Sequence, residues 1–374
     1  MRRQKLGLWL IAWAGLLLCS GFSPSVVASG DVPGHVITRE RLAGLRQPIA
    51  PSVTAAAYIV VNPTTGTVVL AYQEHARRAP ASLTKIMTYL TATSLATAEG
   101  APLTLDSELQ VIKADFYPYT AIGMTDGATF TLRELLYILL IPSDNAAAVA
   151  IGRNLAGTEK DFVGEMNALA GEWGLADTRF VNSHGLDADG QYISAYDLAI
   201  LSRAAMADPL FADIVKQTQI DMGGYRLTTT NELLAKYPGA VGIKTGTTDE
   251  AGQCLVGWVE RPGGTALTVV LGSQDRFADS TALLDFFYKN YVELEIDLPR
   301  SALNTYRDAE GQLHELTIAE PATYLVHPWQ LGALRYTRRL WALPSDPAPD
   351  EPLGALEVWM DGNLFAELPL YARD

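Results

Sequence analysis

Apolar positions along this chain change texture several times, and each change predicts a different kind of element. Residues 6–18 form an unbroken apolar run behind Arg2, Arg3 and Lys5, followed by the small residues of Val26-Val27-Ala28. The run is short for a bilayer span, so residues 1–28 read as an export signal, with an uncleaved anchor as the alternative. Residues 29–50 carry no strong pattern and read as an N-terminal arm. Ala57-Tyr58-Ile59-Val60-Val61 and Gly66-Thr67-Val68-Val69-Leu70 then flank Asn62-Pro63-Thr64-Thr65, which predicts a hairpin. Helical signals follow. Residues 82–95 are a long apolar-rich stretch, and Thr131-Leu132-Arg133-Glu134 is a capping box ahead of an apolar helix. Ser194-Ala195-Tyr196-Asp197 has the same form. Residues 254–259 and 265–271 predict a second hairpin around Arg261-Pro262-Gly263-Gly264, and 279–291 a closing helix.

Strands, a block of helices, strands and a final helix together predict an α/β fold. Its mixed sheet takes its edges from both ends of the domain, with a helical lobe inserted between them. This domain is expected over residues 51–293. Beyond it, short apolar runs alternate with Gly, Pro and Asp, and the helical period disappears. Residues 294–374 therefore predict a small β-rich domain, interrupted by a Pro-rich loop over 344–352. No amphipathic helix closes the sequence, so membrane contact is expected only through the N-terminal segment if that stays uncleaved.

Composition narrows the function classes. With 374 residues, 48% hydrophobic and 19% charged, the chain can bury a large core. Loss of residues 1–28 would remove three positive charges and no negative one, taking the net charge from −14 to −17. Such a surface argues against nucleic acid and against adhesion to anionic lipid. Cys19 follows the bulky Leu18, which does not suit lipid attachment. After export only Cys254 would remain, so no intramolecular disulfide is expected. Cys254 opens an apolar strand and has no His or Asn partner pattern, so it reads as a buried small hydrophobe.

Three short motifs carry the chemistry: Ser82-Leu83-Thr84-Lys85, Ser143-Asp144-Asn145 and Lys244-Thr245-Gly246, followed by Thr247. Each alone has a plain explanation. Ser82 would be a helix cap beside a solvated lysine, Ser143-Asp144-Asn145 an ordinary N-cap, and Lys244-Thr245-Gly246 a turn. Together, in this order, they form a set. A serine hydroxyl needs a base within hydrogen-bond reach, and Lys85 lies one helical turn along the same face. A lysine serves as base only where its ammonium form is disfavoured by burial or by a second cation, and Lys244 is the candidate for that cation. Ser143 could relay a proton to the leaving amine. Asn145 could hold either the substrate backbone or Lys85, and Asp144 has a capping or solvent-facing place. Lys244 and Thr245 suit a terminal carboxylate, and Gly246 leaves room for a substrate against the strand. Main-chain N–H groups of Ser82 and Thr247 would form the oxyanion hole.

The segments Pro80-Ala81-Ser82-Leu83-Thr84-Lys85-Ile86-Met87-Thr88, Asn182-Ser183-His184-Gly185-Leu186-Asp187 and Gly242-Ile243-Lys244-Thr245-Gly246 resemble the D-alanyl-D-alanine carboxypeptidases, the low-molecular-weight penicillin-binding proteins. The likeness extends over roughly residues 54–292, and the C-terminal β region resembles that family's second domain. His184-Gly185-Leu186 and Gly190-Gln191-Tyr192 are its more specific parts. The resemblance implies the penicillin-recognising serine transferase fold, β-lactamase-like, with a small C-terminal β-rich domain. It implies release of the terminal D-alanine from a peptidoglycan pentapeptide stem through acyl-Ser82, β-lactams as slow pseudosubstrates, and no metal or organic cofactor. Ser82, Lys85, Ser143 and Asn145 would be catalytic. Lys244, Thr245, Gly246, Thr247 and Arg276 would receive the substrate, with Arg276 toward its carboxylate and His184 mainly architectural. A bacterial periplasm or cell-wall space is the implied location. Asp144 departs from the family, where Gly or Ala is commoner and Asp is the habit of class A β-lactamases. Those enzymes share all three motifs, but the E-x-x-L-N pentapeptide that supplies their deacylating base is missing between Asn145 and Lys244. Glu165-Met166-Asn167-Ala168-Leu169 has the wrong order. A non-catalytic peptidoglycan-binding scaffold would be expected to have lost one of the motif residues.

Overall fold

Strands β1 (Ala57–Asn62) and β2 (Thr67–Tyr72) pair antiparallel across a turn in which Asn62 Oδ1 accepts from Thr65 N and Thr65 Oγ1, both at 2.7 Å. The computed structural model describes residues 48–373 apart from Pro118, Ala302, Ala342 and Pro349. The export signal expected over 1–28, and nearly all of the arm over 29–50, lie outside the described residues. A 3₁₀ turn, Ala81–Leu83, leads into α1 (Thr84–Thr97). The helix predicted from Ser82 thus starts two residues later, and Ser82 occupies the turn. A ribbon of β3 (Glu108–Gln110) and β4 (Thr129–Thr131) precedes α2 (Leu132–Leu140). The predicted capping box opens α2: Glu134 N donates to Thr131 Oγ1 at 3.1 Å and Thr131 N donates to Glu134 Oε2 at 2.8 Å. Helices α3 (Asn145–Ala156), α4 (Glu159–Glu172), α5 (Ala195–Met206) and α6 (Pro209–Val215) complete the lobe, α5 capped by Ser194 as its sequence predicts.

The chain returns through the ribbon β5 (Gln219–Met222) and β6 (Tyr225–Thr228), the short α7 (Leu233–Lys236), and the meander β7 (Ala240–Thr248), β8 (Gly252–Arg261) and β9 (Gly264–Ser273). Helix α8 (Arg276–Asn290) follows. It begins three residues before the predicted start because Asp275 caps it, accepting from Phe277 N at 3.1 Å and Ala278 N at 3.0 Å.

The central sheet runs β2-β1-β9-β8-β7, its edges supplied by the two ends of the segment as expected. The fold class stands, but the sheet expected to be mixed is antiparallel at every pairing. Short turns within the meander join only antiparallel neighbours, and β1 closes on β9 in the same sense. Strand β1 is buried throughout because helices cover both faces. Ala57, Ile59 and Val61 point into the core shared with the helical lobe. Tyr58 and Val60 point the other way, into a core with Leu283, Leu284 and Phe287 of α8. The period of two in β1 thus divides the domain into two layers.

After α8 come β10 (Val292–Ile296), β11 (Thr305–Arg307), β12 (Leu313–Ile318), β13 (Ala322–Val326), β14 (Leu334–Leu340), β15 (Gly354–Met360) and β16 (Asn363–Ala372). β10 pairs with β13, and the others form a sheet ordered β11-β12-β16-β15-β14. Ile296, Leu316, Val358 and Leu370 belong to its separate core. The β-rich texture and the Pro-rich loop, between β14 and β15, match the sequence reading. Next to Asn290, whose carbonyl lies 2.7 Å from His327 Nδ1, Tyr291 stacks on the His327 ring. Among the described residues no helix is long and apolar enough to cross a membrane.

Phe287 is fully buried between α8 and the sheet. Phe287→Ala should therefore cost about 3–5 kcal/mol of stability. Urea unfolding of the full chain checks this, and an unshifted midpoint would contradict the two-layer packing.

Candidate active site

The nucleophile candidate is held by its own turn. Ser82 sits mid-way through the 3₁₀ turn, and Lys85 falls in the first turn of α1, where its side chain is fully buried. Lys85 Nζ lies 3.0 Å from Ser82 Oγ, 2.6 Å from Asn145 Oδ1 and 2.7 Å from the His184 carbonyl. Burial pushes the Lys85 ammonium well below its usual range and the Lys244 charge adds to this, while Asp144 opposes both. A neutral amine has two hydrogens and one lone pair. Asn145 Oδ1 and the His184 carbonyl, both obligate acceptors, take the hydrogens, so the lone pair is left for the Ser82 hydroxyl proton.

Ser143 and Asn145 bracket the start of α3. Ser143 has φ 65°, a left-handed conformation uncommon for serine and often found where a side chain must be presented. Asp144 caps α3, its Oδ1 accepting from Ala147 N at 2.9 Å. Of the two places expected for it, capping or solvent-facing, the structure shows the capping one, and Asp144 is completely buried. Its second oxygen must find partners there, and residues 120–122 supply them. Thr120 Oγ1 donates to Oδ2 at 2.7 Å and Ile122 N at 3.3 Å, with Ala121 N donating between them.

Lys244, Thr245, Gly246 and Thr247 lie on β7, the sheet's edge strand. Lys244 is buried and donates to Thr245 O at 3.1 Å; burial first, then the Arg276 charge, lowers its ammonium to about 7. Thr245 Oγ1 is 2.5 Å from Thr230 Oγ1. A Cβ on Gly246 would stand 2.9 Å from Ala81 Cβ and 3.0 Å from Ser82 N, so only glycine lets this strand approach the serine turn so closely. Arg276 fastens the strand. Its Nη1 donates to Gly246 O at 2.7 Å and Cys254 O at 3.2 Å, Nη2 to Thr247 Oγ1 at 2.5 Å, and Nε to Gln253 Oε1 at 3.2 Å. Only one of its five N–H groups is left for a ligand. Cys254 is buried, as expected, with its thiol raised by burial.

The His184 loop lies against the serine turn. Gly185 has φ 94°, and a Cβ there would fall 1.9 Å from Ala81 O. Leu186 N donates to His184 Nδ1 at 3.2 Å, and Nε2 is 3.8 Å from Glu159 Oε1. Burial lowers the imidazole to about 4 despite Glu159. The ring is thus neutral, and it is the backbone carbonyl of His184 that reaches Lys85. Asp187 ties the loop to the end of β7, accepting from Thr248 Oγ1 at 2.5 Å and Glu250 N at 3.1 Å.

All nine predicted site residues surround one cleft of about 330 Å³. Ser82, Ser143, Thr245, Gly246, Thr247 and Arg276 line it, and buried Lys85, Asn145 and Lys244 stand behind them. Tyr119, Ala121, Thr230, Glu232 and Phe277 also line it and were not foreseen. No periodicity or motif marks them, because they come from loops and helix ends.

The sequence profile of the D-alanyl-D-alanine carboxypeptidases, peptidase S11, matches residues 45–275. The chain belongs to that family. It is 30% identical to D-alanyl-D-alanine carboxypeptidase DacF of Bacillus subtilis over 331 residues, covering 84% of each chain. It is 28% identical to DacA of Escherichia coli K12 over 364 residues, covering 87% of this chain and 89% of the relative. Among solved structures, penicillin binding protein 6B of Escherichia coli superposes with a TM-score of 0.69 at 26% identity, covering 86% of this chain and 96% of that one. The Streptomyces K15 DD-transpeptidase gives 0.58 at 29% identity, covering 64% of this chain and 98% of that one. The structure is thus that of a penicillin-binding D-Ala-D-Ala carboxypeptidase of the serine type, with its C-terminal β domain.

Within this family fold, Gly185 is where the His184 loop and the serine turn touch. Gly185→Ala should destabilise the protein by at least ~2 kcal/mol, from a backbone clash and a strained φ. Thermal unfolding tests it, and a wild-type melting temperature would show that the contact is loose.

Proposed function

We propose that this protein removes the terminal D-alanine from peptidoglycan pentapeptide stems through an acyl-enzyme on Ser82, and that β-lactams acylate the same oxygen. The observation that carries the reading is the Lys85 amine, stripped of water and with both hydrogens committed to Asn145 Oδ1 and the His184 carbonyl. Lys85 takes the Ser82 proton as Oγ attacks the carbonyl between the two D-alanines. The N–H groups of Ser82 and Thr247 hold the resulting oxyanion. The proton then passes from Lys85 by way of Ser143 to the departing amine, and the peptide C–N bond breaks. In the second half Lys85 deprotonates a water, which hydrolyses the ester. Lys244, Thr245 and Thr247 hold the terminal carboxylate, with Arg276 supporting Thr247 and offering its remaining N–H. The missing E-x-x-L-N pentapeptide between Asn145 and Lys244 favours slow release of a β-lactam over rapid turnover. We assign this chemistry to residues 51–293 and read 294–374 as a separate domain, a division supported by the separate cores. Action on the cell wall places the mature protein outside the cytoplasmic membrane, in keeping with the signal-like first 28 residues and bacterial relatives.

Purified protein should release D-alanine from diacetyl-lysyl-D-Ala-D-Ala and be covalently labelled by a fluorescent penicillin. Ser82→Ala should abolish the label and lower kcat/KM by ~10⁴-fold or more. Persistent labelling of that variant would refute the assignment, and fast penicillin turnover by the wild type would replace it with a β-lactamase.

The two lysines also set opposite limbs of the pH profile. As pH falls through the depressed Lys85 value the base is protonated and activity is lost. As pH rises through about 7, Lys244 loses the charge that receives the carboxylate. The alkaline limb of kcat/KM, which reports the free enzyme, should lie near that value. In kcat it should move upward, because a bound carboxylate favours the ammonium form. Coincident alkaline limbs would assign them to another group.

A further inference from the structure

Asp144 is the one charged motif residue that the reaction above leaves without a part, and it is fully buried and accepts four hydrogen bonds. One oxygen caps α3. The other gathers Thr120 Oγ1, Ala121 N and Ile122 N, from a segment otherwise outside the helical lobe's regular structure. The same helix holds this part of the chain a second time. Arg153, in the last turn of α3, donates from Nε to Asp115 Oδ1 and from Nη2 to Asp115 Oδ2, both at 2.8 Å, and Asp115 is buried. Between the two anchors stands Tyr119, 55% exposed and lining the cleft beside Ala121. Phe116 and Ile122 on either side of it pack against the core, while Tyr119 itself, which directly precedes Thr120, is more than half exposed. Its place is fixed by the residue that follows it, and that residue is bound to Asp144.

We propose that Asp144 is a positioning residue that clamps the Tyr119 segment as a rigid wall of the cleft, and that this wall selects the acyl-donor part of the substrate, the peptide preceding D-Ala-D-Ala. The inference rests on the carboxypeptidase reading and adds to it a determinant of selectivity. Ser82, Lys85 and Asn145 do the chemistry; Asp144 sets what fits beside them. Tyr119 presents an amphipathic face to an extended peptide, and a preorganised wall saves the cost of ordering it at each binding event.

Asp144→Asn separates the clamp from the cap. Asparagine caps helices well, but its amide nitrogen would then face the Ala121 and Ile122 N–H donors. The expected result is faster hydrogen exchange at the Ala121 and Ile122 amides and a KM for a muramyl pentapeptide raised at least fivefold. Penicillin labelling of Ser82 and kcat at neutral pH should stay within about twofold, since losing the Asp144 charge removes only what opposes the depression of Lys85 and so leaves the base neutral. Tyr119→Ala, a surface change, should reproduce the KM rise. The double variant should be no worse than either single one, because both remove the same wall. Additive effects, unchanged exchange, or an equal loss of penicillin labelling and peptide turnover would overturn the clamp, the last by showing that Asp144 acts through Lys85. Absence of labelling in the wild type would instead overturn the carboxypeptidase reading.

Discussion

A buried lysine without a carboxylate partner is the constraint around which this site is arranged. An ammonium ion taken out of water and left unpaired is expensive, and the group responds by giving up its proton. What surrounds Lys85 makes that response useful. The Asn145 amide oxygen and the His184 carbonyl accept hydrogens without carrying charge, so they orient the amine without restoring its cation. A carboxylate at either position would have stabilised the ammonium and removed the base. Asp144 comes near enough to oppose the shift but spends its charge on four donors of its own.

Bringing those acceptors to one nitrogen requires three pieces of chain to approach more closely than side chains normally allow. The serine turn contributes Ser82 and Lys85, the start of α3 contributes Asn145, and the His184 loop contributes a carbonyl. Gly185 permits the loop to meet Ala81, and Gly246 permits β7 to meet the same turn from the other side. Ala81 is thus pinched between two glycines, and its own φ of 48° belongs to that packing. Where a larger residue would stand off by a few ångströms, the glycines convert approach into hydrogen-bond distance. Arg276 works in the same direction, spending two donors on Gly246 and Thr247 of β7 and two on Gln253 and Cys254 of the neighbouring β8.

The sequence made some of this legible for physical reasons. Elements announced by strong periodicity or by a capping box, such as β1, α2 and the β8–β9 hairpin, are set by local chemistry and appear where that chemistry puts them. The three motifs were readable because their chemistry demands fixed residue types at fixed spacing. Less legible was what depends on tertiary placement. Lys85 choosing Asn145 and a main-chain carbonyl could not be seen, since a carbonyl has no residue type. Asp144 reads as a cap or a solvent-facing residue because a sequence does not show that residues 120–122 come to it. Tyr119, Thr230 and Phe277 carry no pattern at all. Arg276, expected toward the substrate carboxylate, lines the cleft, but its engagement with β7 follows from a strand edge that only the folded sheet creates.

The C-terminal β region bears on the chemistry in a different way. Every residue that lines the cleft or backs it falls between Ser82 and Phe277. The Streptomyces K15 structure, covered over 98% of its length, corresponds to only 64% of this chain, so a protein with this fold can dispense with a second domain of this kind. The strands from β10 onward form a core of their own and supply no side chain to the site. Near α8 the stacking of Tyr291 on His327, beside a ring nitrogen bound to the Asn290 carbonyl, adds a directional contact to chain continuity. A second domain attached in this way cannot alter the basicity of Lys85 or the shape of the cleft by contact. Whatever it contributes is therefore not made by direct contact with the reacting groups. The groups that set basicity, oxyanion binding and cleft shape are thus all supplied by residues 82–277.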